Sequence, residues 1–137
     1  MGRHHDLMRF YQLIDRLEVR CGGKRTLNDC SGLTGWPLRG VYFFFEDGER
    51  RRGSGDGPRM VRVGTHALKE GSKSSLWGRL SQHKGKSRTA GGNHRGSIFR
   101  LIVGTAVMTT ETRKCDSWGR AQMICGARDF HKLLRVI

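Results

Sequence analysis

Acidic residues are scarce in this chain. Twelve Asp and Glu stand against 26 Lys and Arg, which leaves a formal charge of +14. A solubility surface mixes both signs, so a surplus of this size points instead to a polyanionic partner. Phosphate backbones fit that description, because neutralising them releases condensed counterions. An anionic membrane surface is the rival partner. No apolar run approaches the roughly 18 residues that a span requires; the longest, from Ile98 to Met108, is broken by Arg100 and Gly104. Cysteine is sparse as well. Cys21, Cys30, Cys115 and Cys125 lie far apart with no Cys-x-x-Cys pair, which argues against a zinc site and for free thiols. The start, Met1-Gly2-Arg3-His4-His5-Asp6, lacks the apolar core of a signal peptide. The expectation is a soluble cytoplasmic protein. Proline is nearly absent at two residues, whereas glycine reaches 20 and apolar residues only 36%. That balance implies a small core with long loops. A chain of 137 residues makes one domain and buries roughly two-thirds of its surface.

The basic surplus is concentrated. Between Arg50 and Arg100 there are 13 Lys and Arg but only two acids, Asp56 and Glu70. Blocks of like charge are usually solvated loops. Here they are interleaved with glycine-rich turns and with the residues best suited to chemistry, which favours a binding face.

In chain order, Asp6 to Arg20 has the spacing of an amphipathic helix. Leu7, Phe10, Tyr11, Ile14 and Leu17 recur at three- and four-residue intervals, Asp6 is placed to cap it and Gly22-Gly23 to end it. Lys24 to Pro37 is irregular. Val41 to Glu46 reads as a covered strand and Met60 to His66 as its hairpin partner, joined by a long loop over 47–58. Ser74 or Ser75 caps a short helix that runs to about Lys84, with Leu76, Trp77 and Leu80 facing inward. Residues 85–96 form a loop. Ser97 to Met108 is rich in branched aliphatics and predicts a third strand. Ala127 to Ile137 predicts a short helix.

Hydrolysis of a phosphodiester needs fixed positive charge where negative charge develops on the phosphoryl oxygens. The planar, permanently charged fork of arginine suits that task. It also needs a group to take a proton from water, either a His or a Tyr acidified by neighbouring cations. A divalent ion requires hard carboxylate ligands. Tyr42, Arg79 and His83 lie on elements able to adjoin, with Arg79 and His83 one helical turn apart and therefore on one side. Each has a plainer reading. Tyr42 in an aromatic strand is core, Arg79 a solvated surface charge, and His83, like His66 and His94, a surface histidine.

The order of the motifs adds to this. Gly40-Val41-Tyr42, then Arg62-Val63-Gly64, then Leu76-x-x-Arg79-x-x-x-His83 together resemble the GIY-YIG nuclease family across roughly residues 38–105. Arg62 stands where that family usually has a tyrosine. The resemblance implies an α/β (α+β) domain with a small three-stranded antiparallel sheet flanked by helices; here an extra N-terminal helix precedes it. It divides the chain into an N-terminal extension over 1–37, a nuclease core over 38–108 and a C-terminal tail over 109–137. It further implies metal-dependent hydrolysis of duplex DNA with Mg²⁺ or Mn²⁺, as in a restriction-type member, with no small-molecule substrate. Tyr42 would position or deprotonate the attacking water, Arg79 would stabilise the phosphate and His83 would assist proton transfer, with Arg62 as a fourth catalytic candidate. Arg51, Arg52, Arg59, Lys84 and Lys86, with Asn93, His94 and Arg95, are the candidate DNA contacts.

In that family a metal-binding glutamate lies on a helix after the third strand. Downstream of Arg100 the one glutamate is Glu111, with Asp116 and Asp129 the other carboxylates. Glu111 is therefore the candidate ligand. The expectation is a domain truncated or diverged at its C-terminal end that binds DNA and cleaves it poorly or not at all. The alternative is a non-catalytic DNA- or RNA-binding module of the same fold.

Overall fold

In a computed structural model of the chain, residues 2–85, 96–110 and 134–137 are described. The elements are α1 (Arg3–Arg20), β1 (Arg25–Thr26), a 3-10 turn (Leu27–Asp29), β2 (Gly40–Arg50), β3 (Pro58–His66), α2 (Leu76–Lys84), α3 (Ile98–Thr110) and β4 (Leu134–Val136). The class is α+β, as the sequence implies. The sheet has four antiparallel strands in the order β1-β4-β2-β3 rather than three.

β2 is the central strand. Its residues 41–45 are β-branched or aromatic throughout, side chains that fit a pleated and covered surface. Tyr42 and Phe44 point to the face covered by α2 and α3 and join Leu27, Cys30, Leu76, Leu80, Phe99 and Val136 in the core. Opposite them on β3 stand Gly64 and Arg62, in the register Tyr42↔Gly64 and Phe44↔Arg62. Both hairpin strands run further than the hydrophobic pattern suggested. The loop expected over 47–58 is thereby shortened to the residues between Arg50 and Pro58.

Two expectations are corrected. Ser97 to Met108 is not a strand: Ile98–Thr110 is a helix. Its branched side chains favour a strand in isolation, but tertiary packing outweighs propensity. Phe99 and Val103, four residues apart, lie together against the core, and Arg100 and Gly104 are likewise buried. Ser97 caps this helix, accepting the Arg100 N–H at 3.2 Å. The C-terminal helix is corrected too. Leu134–Val136 is a strand between β1 and β2, paired Phe44↔Val136 and Thr26↔Arg135, with Val136 fully buried; residues 127–133 lie outside the described part.

α2 forms as read. Ser75 accepts the Gly78 N–H at 3.1 Å, and Gly85 follows the last turn at φ 74°, a left-handed conformation that suits glycine. Arg100, fully buried on α3, donates to the Lys84 carbonyl at 2.9 Å and so satisfies an orphan acceptor at the end of α2. Burial lowers this guanidinium to a pKa of about 10, which leaves it charged at neutral pH. α1 starts three residues before Asp6, with Gly2 at its N-cap. It is fastened to the β2–β3 loop rather than spread over the sheet: Arg51 stacks on Tyr11 at 4.0 Å and pairs with Asp15 at 2.5 Å. Of the cysteines, Cys21 and Cys30 are free thiols, and burial pushes the Cys30 thiol up; Cys115 and Cys125 lie outside the described residues. No helix among the described residues is long and apolar enough to cross a membrane.

Candidate active site

β2 and α2 bring together the first two candidates. Tyr42 Oη and His83 Nε2 lie 2.8 Å apart, and both side chains are almost wholly removed from solvent. His83 sits in an aromatic enclosure, with ring-centroid distances of 5.5 Å to Tyr42, 5.3 Å to Phe44 and 5.9 Å to Phe99. Its second nitrogen, Nδ1, is 2.6 Å from Ser97 Oγ. Burial, reinforced by the positive charges of Arg79 and Arg62, lowers its pKa from 6.5 to about 3. The imidazole is therefore neutral at physiological pH.

Gly64 makes this geometry possible. A Cβ at that position would lie 2.7 Å from Tyr42 Cε2 and closer still to its Cζ and hydroxyl. Only a residue without a side chain lets the phenol lie flat across β3, which is why a glycine pairs with the tyrosine. The tripeptide's final glycine is thus a matter of packing, not of backbone freedom.

Arg79, one turn before His83 on α2, is half-buried. Its Nη1 donates to the Gly96 carbonyl at 2.6 Å and to Gln82 Oε1 at 2.8 Å. These bonds hold the guanidinium and leave Nε and Nη2 without hydrogen bonds among the described residues. Arg62 reaches the same cluster from β3, its Cζ 4.7 Å from the Phe99 ring centroid. Its Nε is buried with no hydrogen-bond partner among the described residues. Tyr42, His83, Arg79 and Arg62 thus converge on one end of the β2–β3 pair.

The expected DNA contacts are spread differently. Arg51 is committed within the fold, its side chain only 5% exposed against α1. Arg59 is exposed and pairs with Glu49 at 2.5 Å, and Arg52 is exposed. Lys84 donates to the Cys30 carbonyl at 2.6 Å. Lys86, Asn93, His94, Arg95 and Glu111 lie outside the described residues.

A helix over Ile98–Thr110 occupies the stretch that the sequence pattern gives to a third strand, and Glu111, just beyond it, lies outside the described residues. The described cluster itself does not fit a divalent ion. It offers a phenol, two cations and an imidazole with both nitrogens engaged, whereas Mg²⁺ calls for hard carboxylate oxygens. Among the described residues no group of three or more His, Cys, Asp or Glu is placed to hold a metal.

Ser97, Phe99 and Gly64 were missed as site residues. A serine directly before an apolar run is a helix N-cap signal, and that reading of 97–110 would have placed Ser97 and Phe99 beside α2.

A small antiparallel sheet bearing a buried tyrosine, with an arginine and a histidine projecting from the helix that covers it, is the arrangement that the motif resemblance implies for a nuclease-type fold. Comparison with family models agrees. The chain belongs to the GIY-YIG domain family, whose model matches residues 1–131. Family members are nucleases acting on nucleic acid and are generally metal-dependent. No curated protein and no solved structure matches the chain.

Proposed function

We propose that the chain is an endonuclease that hydrolyses phosphodiester bonds in duplex DNA with Mg²⁺ or Mn²⁺. The observation that best supports this reading is the 2.8 Å Tyr42–His83 hydrogen bond flanked by the guanidinium groups of Arg79 and Arg62. Tyr42 Oη orients the attacking water, held in place by a histidine that stays uncharged. As the water oxygen bonds to phosphorus, its proton passes to Tyr42 Oη in the phenolate form, the bond to the leaving oxygen breaks and that oxygen takes a proton from solvent, while negative charge builds on the non-bridging oxygens. Arg79 meets that charge with Nε and Nη2, which make no hydrogen bond among the described residues, and preorganised donors of this kind act on the transition state without reorganisation. Arg62 is a second cation on the same phosphate, in the place of a tyrosine. No step is assigned to the divalent ion, because the described residues do not supply its ligands. The nuclease unit takes in Arg25–Thr26 and Leu134–Val136 as well as residues 38–108, since both strands belong to its sheet.

Nicking of supercoiled plasmid by the purified chain in Mg²⁺ or Mn²⁺ tests this reading, with Arg79→Ala as the control. The proposal expects nicking by the wild type and its loss in the variant. Salt-sensitive binding without cleavage by the wild type would overturn it in favour of a binding module. Preference for structured RNA over duplex DNA in competition at fixed salt would overturn the substrate.

A further inference from the structure

We infer that Ser97 holds His83 in the tautomer protonated at Nε2, so that the imidazole donates to Tyr42 Oη and Ser97 is a positioning residue for that tyrosine. The argument is one of hydrogen-bond accounting. Among the described residues Ser97 Oγ has two partners, the Arg100 N–H at 3.2 Å and His83 Nδ1 at 2.6 Å. The backbone N–H can only donate, so Ser97 accepts from Arg100 as the N-cap of α3. Ser97 is 1% exposed, and its own proton needs an acceptor. Nδ1 is that acceptor. A neutral imidazole that accepts at one nitrogen donates at the other, and the other nitrogen is 2.8 Å from Tyr42 Oη. The reverse arrangement would give Ser97 Oγ two donors and leave a buried hydroxyl proton without a partner among the described residues.

The polarity of this chain of bonds has consequences. His83 is not the base that removes a proton from Tyr42 or from water, because its one free lone pair is taken by Ser97. It is instead a fixed donor that stabilises negative charge on Tyr42 Oη. When the phenol carries its own proton, that proton points away from His83, toward whatever occupies the site. The arginines on either side, Arg79 and Arg62, disfavour a second proton on the ring.

The part of the inference that concerns catalysis rests on the nuclease reading; the tautomer does not, and is measured without DNA. Two-bond ¹H–¹⁵N spectra of histidine-labelled protein at pH 7 distinguish the two nitrogens, with the His83 signals assigned by their loss in His83→Gln. The expected pattern is a protonated Nε2 and an unprotonated Nδ1, kept in Ser97→Thr. Ser97→Asp keeps a good N-cap but can only accept from Nδ1, so it is expected to fold and to protonate Nδ1. A wild-type His83 protonated at Nδ1, or a folded Ser97→Asp protein with Nδ1 unprotonated, would overturn the inference. In cleavage assays Ser97→Asp should lower kcat on the order of 100-fold with KM retained, while Ser97→Thr restores it. Unchanged kcat in Ser97→Asp would overturn the positioning role. A wild type with the expected tautomer but no cleavage would instead count against the nuclease reading.

Discussion

Lowering the pH from 7 to 5 should cost the fold about 2 kcal/mol through His83 alone. The folded-state pKa of this histidine is depressed from 6.5 to about 3. Between those values the unfolded chain binds a proton that the native state refuses, so stability is fully present above pH 6.5 and falls as the pH drops toward 3. The whole gap corresponds to about 5 kcal/mol, of which roughly 2 is lost by pH 5. Burial among the groups that face the ring is the largest cause, and the charges of Arg79 and Arg62 add to it. Tyr42 and Phe44 come from β2, Arg62 from β3, Arg79 from α2, and Ser97 and Phe99 from the start of α3. The assay is urea unfolding at pH 7, 6 and 5 for the wild type and for His83→Gln, which cannot titrate. The variant should be less stable at pH 7, but the quantity of interest is the change with pH. The wild type should lose about 2 kcal/mol more than the variant over this interval. Parallel pH dependence in the two proteins would refute the reasoning, because it would mean that the buried imidazole is protonated as easily as a free one.

Three further outcomes follow from the packing of the site and its surroundings. Gly64→Ala forces a methyl into the Tyr42 ring and should destabilise the fold by about 1–3 kcal/mol, seen as a lower Tm; an unchanged Tm would remove the packing explanation of this glycine. Arg51→Ala loses the stack on Tyr11 and the pair with Asp15 and should cost about 1–2 kcal/mol in denaturant unfolding, with DNA affinity unaltered. A loss of affinity with no loss of stability would instead make Arg51 a phosphate contact. Arg79→Ala should weaken binding equally across DNA sequences and reduce the slope of log K against log salt by about 1; an unaltered slope would take Arg79 off the phosphate.

The legible part of this chain was the part whose signals are local. The aromatic run over 41–45 made a strand and Ser75 capped α2, while Tyr42, Arg79 and His83 stood in an order that pointed to the family. The misreadings came where tertiary contact decides. Residues 98–108 are rich in branched aliphatics, and only the burial of Phe99, Arg100 and Gly104, with Val103 partly buried beside them, makes them a helix. Leu134–Val136 is too short to announce a strand, and its pairing partners are about 90 and 110 residues away in sequence. The arginines showed the limit of reading charge from composition. Arg51 and Arg100 count toward the same basic total as Arg79, yet one fastens a helix and the other satisfies a helix end.

The central claim is that Tyr42 Oη acts on the water in a nuclease reaction, and Tyr42→Phe tests it most directly. That variant removes one oxygen from a ring whose packing is otherwise kept. Plasmid cleavage and duplex binding are measured side by side in Mg²⁺ or Mn²⁺, for wild type and variant. The account predicts a wild type that nicks DNA and a variant that binds with the same affinity and salt dependence but does not nick. Cleavage by Tyr42→Phe at the wild-type rate would contradict it.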